Sequence, residues 1–239
     1  MATLQSVVPQ TDDDVYYPSG DGEPMAETGL HVDAIIQLRE FLDDLLADRV
    51  DVWIGTDQFW YWRKGNPGAR IAPDIMVVFG VSKEPPRRSF FTWRENGAIP
   101  AFICEFASQH TWRGDLGRKF KRFEKLGVKE YFVFDPEYRY LKAGLQAYRL
   151  RAGKYQALRP SADKSVESKT LGVRLVPEGR FLRLMDPDTR LIIPSRLERL
   201  KKADNTVTMA QLAVKDAEIA RLRALLEDAK RSPNGSPKS

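Results

Sequence analysis

The apolar positions in the first part of the chain recur with a helical period. Spacings of three and four residues, as in a helix that packs one face on a core, connect Leu30, Ala34, Leu38, Phe41, Leu42 and Leu45. The helix is predicted to begin at about Met25 or Ala26. The polar, turn-rich stretch before it is predicted to be a flexible arm over residues 1–24.

Shorter apolar runs after this helix predict strands. DVWIG at 51–55 and QFWYWRK at 58–64 are separated by Thr-Asp and predict a hairpin. The run IMVVF at 75–79 is typical of a strand covered on both faces. Residues 82–100 are rich in Pro and Arg and predict a long irregular excursion, after which AFICEFASQHT at 101–111 supplies another strand.

The next segment predicts a helix followed by more strands. Residues 112–126 form the helix, which should stop at Gly127, and KEYFVFD follows it as a strand. YLKAGLQAYRL and GKYQAL predict further strands, and residues 171–193 a β-hairpin unit. This order predicts an α/β core with an antiparallel supplement.

The C-terminal end has a different pattern. Residues 196–230 lack Pro and Gly, and Leu212, Ile219 and Leu226 are spaced by seven, with Leu222 between them. We predict a coiled-coil-like helix and, through it, a homodimer. Residues 231–239 are predicted to be a disordered tail, which leaves residues 25–195 as the globular domain.

Composition narrows the setting. The 239 residues include 38 basic and 33 acidic ones, a net charge of +5 that supports a nucleic-acid partner only weakly. The single cysteine, Cys104, excludes an internal disulfide, and no apolar stretch approaches the roughly 20 residues of a membrane span. We therefore expect a cytoplasmic protein without a membrane partner.

One charge stands inside a strand that should be buried. Glu105 has apolar neighbours on both sides, and an ionised carboxylate there costs several kcal/mol unless it is paired or bound to metal. If the strand that begins after Asp74 is its neighbour, the two carboxylates converge, and their hard oxygens suit Mg²⁺ or Mn²⁺. The alternatives are a buried ion pair with an arginine for Glu105 and a turn role for Asp74.

The helix at 112–126 supplies a cation on the same side. At about 100° per residue, Lys119 falls on the apolar arc between Phe123 and Leu126. An inward ammonium could balance the carboxylates, position a water molecule and stabilise charge on a phosphoryl group. Alternatively, Lys119 extends along the helix edge towards solvent. Asp115 borders the same arc and is interpreted as an acid that favours the helix N-terminus rather than as a metal ligand.

These motifs resemble, in order and spacing, the Uma-two family of endonuclease-like proteins in the PD-(D/E)xK superfamily. The resemblance covers about Met25 to Pro194 and depends on RIAPDIMVV, FICEFASQHT, DLGRKFKRF and GVKEYFVFDP. It implies a restriction-endonuclease-like core, with a mixed central sheet flanked by helices, that cleaves DNA phosphodiester bonds. Asp74, Glu105 and Lys119 would be catalytic, and Asp74 and Glu105 would bind Mg²⁺ or Mn²⁺.

The sequence departs from the family pattern at Ala107, and also at Gln109 and His110, where that pattern commonly has Pro-Ser before the Thr. The usual superfamily lysine, two residues after the acid, is Ala107 here, so Lys119 would have to replace it from the helix. Glu27 is a candidate for an additional acid, although an acid in a first helical turn is favoured there in any case. His31 and His110 are interpreted as structural or solvent-facing, because they are too few and too far apart for a zinc site.

Basic residues suggest where DNA would bind. The candidates for phosphate contacts are Lys83, Arg87, Arg88 and Arg94, with Trp93, in the excursion, and Arg118, Lys121, Arg122 and Lys125 on the outer helix face. The alternative function is a catalytically inactive nuclease-fold protein that acts as a nucleic-acid-binding or partner-interaction module.

Overall fold

The described chain divides into two units, at Ile193 and Pro194. The structure is a computed structural model and describes residues 11–20 and 29–231. The first unit is an α/β assembly and the second contains one long helix.

The elements follow in this order along the chain. They are β1 (Thr11–Asp12), β2 (Val15–Tyr16), α1 (Gly29–Leu45), β3 (Val52–Thr56), β4 (Trp60–Tyr61), β5 (Arg70–Ile71), β6 (Ile75–Phe79), β7 (Phe90–Phe91), a 3₁₀ helix (Thr92–Arg94), β8 (Phe102–Phe106), α2 (Trp112–Gly114), a π-helical turn (Asp115–Lys119), α3 (Phe120–Leu126), β9 (Glu130–Phe134), β10 (Leu145–Arg151), β11 (Lys154–Ala157), β12 (Val166–Ser168), β13 (Val173–Glu178), β14 (Phe181–Met185) and α4 (Arg196–Arg231).

The central sheet has six strands in the order β11-β10-β9-β8-β6-β3. Only β8 and β9 pair in parallel, and the other neighbours are antiparallel. The sheet is therefore mixed, as predicted. Small sheets formed by β5-β4-β7 and by β12-β13-β14 supplement it, so the predicted hairpin additions to an α/β core are also confirmed.

Both faces of the central sheet are covered, which explains the uninterrupted apolar runs of β6 and β8. On one face, α1 and the β12-β13-β14 sheet pack on residues such as Val77 and Phe102. On the other face, the helix over 112–126 and the β5-β4-β7 sheet pack on Ile103 and Val133. Alternation along β8 places Glu105 on this second face.

The predicted hairpin over 51–64 is wrong. β3 pairs with β6 instead, and β4 joins β5 and β7 in a separate sheet. The chain turns away at Asp57, which has a φ of 48° and donates its N–H to the backbone oxygens of Pro73 and Asp74. Trp60 is thereby buried against Phe123. Local sequence does not encode this choice, because it depends on side chains that are distant along the chain.

The excursion over residues 82–100 contains regular structure. Phe90 and Phe91 form β7 and are buried, and Thr92–Arg94 form the 3₁₀ helix. Arg87 is 3% exposed and pairs with Glu95 at 2.7 Å. The arginines that suggested an irregular segment are thus partly internal cross-links of that segment.

The segment at 11–20 also differs from the flexible arm predicted over residues 1–24. It forms a β1-β2 hairpin followed by Tyr17, which is fully buried and accepts a hydrogen bond from the N–H of Gly65 at 2.7 Å. Asp12 accepts hydrogen bonds from Trp93 Nε1 at 2.6 Å and from Arg94 Nε at 2.9 Å. Short-range composition does not reveal these distant partners. Residues 1–10 and 21–24 lie outside the described residues.

The helix over 112–126 is continuous but contains the π turn at Asp115–Lys119. Tyr131 on β9 donates its hydroxyl to the carbonyl of Asp115 at 3.0 Å and so anchors the turn to the sheet. The helix ends as predicted at Gly127, whose φ of 86° is accessible to glycine at little cost. π turns of this kind are frequent at functional sites.

The second unit is α4, which begins with a capping box. Ser195 Oγ accepts from the N–H of Glu198, whose carboxylate accepts from the N–H of Ser195. Leu197, Leu200 and Ile219 are exposed on this helix. The side chains of Leu212, Leu222 and Leu226 lie outside the described residues. No helix in the described parts of the chain is both long enough and apolar enough to cross a membrane.

Candidate active site

The pairing of β6 with β8 brings Asp74 and Glu105 together. Asp74 directly precedes β6, and Ile75 lies opposite Cys104 in the ladder. The N–H of Phe106 donates to Asp74 Oδ2 at 2.6 Å, and the N–H of Asp74 donates to Glu105 Oε2 at 3.4 Å. The backbone of each strand thus holds the carboxylate of the other.

Lys119 reaches these acids from the helix. Its Nζ lies 2.7 Å from Glu105 Oε2 and 3.3 Å from Asp115 Oδ1. The π turn contains both Asp115 and Lys119, and its carbonyl anchor from Tyr131 fixes it against β9. Asp115 therefore faces the sheet beside Lys119, rather than serving only as an acid at the start of a helix.

The site carries more negative than positive charge. Glu105 and Asp115 are buried, with side chains 0% and 1% exposed, whereas Asp74 and Lys119 are 16% and 17% exposed. Three carboxylates therefore share one ammonium group. Glu105 Oε1 is buried and has no hydrogen-bond partner among the described residues. A buried, unpartnered carboxylate oxygen is costly, so this oxygen is suited to a cation.

Burial and mutual repulsion shift the acids in one direction. Burial raises the pKa of Glu105 well above its usual value, and the charges of Asp74 and Asp115 raise it further, against the attraction of Lys119. The pKa of Asp115 is raised for the same reasons. Burial alone would lower the pKa of Lys119, but attraction to Glu105, Asp74 and Asp115 outweighs it, and the pKa is raised. Lys119 is therefore an ammonium at neutral pH.

His31 on α1 is a neighbour of the site that the sequence interpretation did not assign to it. Its Nε2 lies 3.8 Å from Asp74 Oδ2, its side chain is 3% exposed, and its ring meets the ring of Phe106 edge-on at 6.0 Å. The helical period of the sequence does indicate that His31 is buried, because it falls three, four and seven residues before the core positions Ala34, Ile35 and Leu38.

The loop after Glu105 is closed by its own hydroxyl groups. Ser108 Oγ and Thr111 Oγ1 lie 3.0 Å apart, and each of the two residues directs its N–H at the other's hydroxyl. These hydrogen bonds shorten the connection between β8 and α2 to a few residues and so fix where the helix with Lys119 begins. Gln109 and His110 occupy the tip of the loop.

The other predicted residues are distributed differently. Glu27 lies outside the described residues. Arg87, Trp93 and Arg94 have partners within the fold, and Lys83 donates to the carbonyl of Leu46. The outer helix residues remain exposed: they are Arg118, Lys121, Arg122 and Lys125, and with Gly117 they line a surface groove of about 540 Å³. We call them the basic helix face.

The acids fit a hard divalent cation held partly by water. Among the described residues, no group of three or more His, Cys, Asp or Glu side chains is arranged to hold a metal. Mg²⁺, however, typically takes only one or two carboxylates and keeps several waters. Asp74 and Glu105 provide such a pair, with one unpartnered oxygen and a nearby excess of negative charge.

The fold and this acid–lysine cluster define an α/β protein with a buried acidic site at one end of two interior strands, β6 and β8, of its central sheet. The sequence model of the family described as "Uma2: Putative restriction endonuclease" matches residues 3–178. The chain therefore belongs to this family, which confirms the resemblance seen in its motifs and the restriction-endonuclease-like assignment of its core.

The chain was also compared with solved structures and with curated proteins. A solved structure described as a putative nuclease belonging to DUF820 from Anabaena variabilis matches with a TM-score of 0.45 and 13% sequence identity. The match covers 69% of this chain and 86% of that chain. No curated protein matches the chain significantly.

Proposed function

We propose that this protein is a metal-dependent endonuclease that hydrolyses phosphodiester bonds in DNA. The observation that carries the proposal is the charge balance at the end of β8, where Lys119 pairs with Glu105 and Asp115 and where Asp74, bonded through its N–H to Glu105, adds a third carboxylate. A core that keeps this imbalance is destabilised unless a cation joins it. The chain belongs to a family described as putative restriction endonucleases, and hydrolysis of a phosphodiester bond is a reaction in which such a cation would take part.

Asp74 and Glu105 would hold Mg²⁺ or Mn²⁺. When bound, such an ion polarises a phosphoryl oxygen and lowers the pKa of a coordinated water. Asp74 is fixed by the N–H of Phe106 and is partly open to solvent, so it provides the approach side of the site. Glu105 lies entirely inside, with one oxygen on Lys119 and the other without a hydrogen-bond partner in the part of the chain that the structure describes.

Lys119 would act on the phosphoryl group. Its side chain is 17% exposed and its ammonium stays charged at neutral pH, so it can donate a hydrogen bond to an oxygen on which negative charge develops, or orient the attacking water. Asp115 is a positioning residue in this scheme, because it is a second carboxylate that holds the ammonium, at 3.3 Å. The two acids and the π turn leave the ammonium little freedom.

DNA would lie along the basic helix face. Its four side chains are exposed, and within the described residues none of them forms an ion pair. Arg122 also lies over the ring of Trp62 at 5.1 Å. The same helix carries Lys119 on its inner side, so phosphates bound outside would lie across the helix from the acidic site, roughly 10 Å away. Such contacts position DNA without reading its sequence.

The direct test is cleavage of a supercoiled plasmid with Mg²⁺ or Mn²⁺. Wild-type protein is expected to nick the plasmid, and Asp74→Asn to lose at least about 100-fold in rate, because an amide is a poor ligand for a hard cation. Asp43→Asn, at an exposed position of α1, is the matched control.

The plasmid assay also separates the proposal from its rivals. Equal nicking by wild type and Asp74→Asn would place the activity elsewhere. Absence of nicking, with DNA retained equally by both proteins, would favour the non-catalytic binding module.

The basic helix face predicts a specific salt dependence. Lys121→Gln combined with Lys125→Gln should reduce the slope of log affinity against log salt by about 2 for a short DNA duplex, since each lost phosphate contact removes about one released counterion. Fluorescence anisotropy at several salt concentrations measures this slope. Lys142→Gln with Arg159→Gln removes the same charge from exposed positions elsewhere, and a similar slope change there would contradict the assignment.

We also propose that two chains pair through α4. The exposed apolar residues Leu197, Leu200 and Ile219 support this proposal. After deletion of residues 196–239, light scattering is expected to give the mass of one shortened chain, whereas a mass of two shortened chains would exclude α4 as the contact.

A further inference from the structure

A second charged site lies at the opposite end of the central sheet. It is a surface cavity of about 490 Å³ whose lining includes Phe79 at the end of β6 and Ala101 just before β8. Asp74 lies at the other end of β6, five residues away, which is roughly 17 Å along a strand. The cavity is therefore separate from the candidate active site.

Four basic side chains from four different parts of the first unit line this cavity. Arg49 follows α1, Lys129 precedes β9, Arg149 lies on β10 and Lys169 follows β12. They are distant along the sequence, so no motif reveals them together. The ladder of β9 and β10 sets Arg149 opposite Glu130 and thereby fixes one wall.

The acid in the lining is fully used by the fold. Glu130 is 1% exposed, and its carboxylate accepts from Arg149 Nε, from Ser168 Oγ and from the N–H groups of Lys169 and Thr170. These bonds hold the segment after β12 against the sheet and so shape the rim of the cavity. The charge of Glu130 is balanced by Arg149, and its carboxylate oxygens are already bonded, so Glu130 does not neutralise the other basic residues of the cavity.

The other cations divide into one pair and two unpaired groups. Arg49 binds Asp51 through two hydrogen bonds, and its guanidinium lies 4.9 Å from the ring centre of Phe79. Lys129 and Lys169 are exposed, and neither forms an ion pair with any residue in the described ranges. The cavity thus keeps two positive charges that the protein itself does not neutralise.

We propose that this cavity binds a phosphate-bearing ligand. Two unpaired ammonium groups match the charge of about −1.5 to −2 of a phosphate monoester at neutral pH better than that of a single carboxylate. Lysine binds phosphate as a point charge, whereas the two arginines are already oriented by acids and supply a fixed positive wall. The volume is that of a small-molecule site. The source is either the monoester of a free mononucleotide or two neighbouring diesters of a nucleic-acid backbone, each of which carries one negative charge.

The test uses Lys129→Gln with Lys169→Gln, and Lys142→Gln with Arg159→Gln as the charge-matched control. Inorganic phosphate, a 5′-mononucleotide and a short DNA duplex are each titrated into ¹⁵N-labelled full-length protein. The amide signals of Ala101, Leu150 and Thr170 should shift on addition of phosphate. The double lysine variant should bind at least about fivefold more weakly, and the control should bind within about twofold of wild type.

Each outcome decides the proposal. Weaker binding of the mononucleotide, with DNA unaffected, identifies a free phosphate ester as the ligand, and weaker binding of DNA identifies the backbone. Unshifted amides, or equal affinity in the lysine variant and its control, would overturn the site. Neither result depends on cleavage, because Asp74 and Glu105 are unchanged in every protein tested.

Discussion

Replacing Lys119 by Met is expected to slow plasmid nicking by two to three orders of magnitude, about the loss of one preorganised donor, and to destabilise the protein. Lys119 is the ammonium group that offsets three carboxylates, with its Nζ 2.7 Å from Glu105 Oε2 and 3.3 Å from Asp115 Oδ1. Removing one partner of a buried pair leaves uncompensated charge and costs about 3 to 5 kcal/mol. The loss of nicking should be about 100-fold to 1,000-fold, as for removal of one preorganised donor.

Stability and activity are separable in this experiment. Urea unfolding in EDTA measures stability. The free energy of unfolding of Lys142→Met, a change at an exposed lysine, should stay within about 0.5 kcal/mol of wild type. Adding Glu105→Gln to Lys119→Met should recover part of the stability, because it removes the carboxylate that lost its partner, but none of the activity. If the single variant is as stable as wild type, the ion pair is not formed; if it nicks normally, Lys119 has no catalytic role.

The parts of the site that sequence could predict are those marked by a conflict between local patterns. Glu105 is a charge in a buried strand and Lys119 is a charge on an apolar helical arc, and the structure places the two side chains in contact. Neither conflict requires knowledge of the fold. The prediction for Asp74 required one assumption, that its strand lies next to the strand of Glu105. The pairing of β6 with β8 shows that this assumption holds.

The parts that sequence did not predict depend on packing between distant segments. His31 has the helical phase of the core, but only the arrangement of α1 over β8 brings it to within 3.8 Å of Asp74. Regular stepping of about 100° per residue places Asp115 only at the border of the apolar arc, and the structure shows that it lies inside, 3.3 Å from Lys119 Nζ. The hairpin predicted for 51–64 failed for a similar reason, since β6 competes successfully for β3.

The packing around Ala107 explains why the lysine of the site comes from the helix and not from the position two residues after Glu105. It lies two residues beyond Glu105 on the same face of the sheet, is 1% exposed, and packs in the cluster that contains Phe123 and Tyr131. The space near this position is filled by the helix that carries Lys119. A lysine at 107 would have to displace that packing, whereas the helix delivers an ammonium to Glu105 without disturbing the core.

Replacing Glu105 by Gln is expected to separate metal binding from folding. Gln keeps the shape of the side chain and an oxygen for Lys119, but it removes the negative charge that the proposed cation requires. Affinity for Mn²⁺, measured by calorimetry, should fall at least about tenfold, and plasmid nicking should fall by about 1,000-fold or more. Glu167→Gln makes the same change at an exposed glutamate and should alter neither quantity.

The stability of this variant in EDTA should equal or exceed that of wild type. Burial and the neighbouring acids raise the pKa of Glu105 in the folded state, so the ionised form is held less well there than in the unfolded chain. Wild-type stability is therefore lost as pH rises from the unfolded pKa towards the raised folded one, and Gln at this position does not contribute to that loss. The advantage of Glu105→Gln should consequently grow with pH over this interval and vanish below it. Saturating Mn²⁺ should reverse the order, because it stabilises only the protein that binds it. A variant that is less stable than wild type at every pH in EDTA, and equally stabilised by Mn²⁺, would show that Glu105 holds the fold and not a metal.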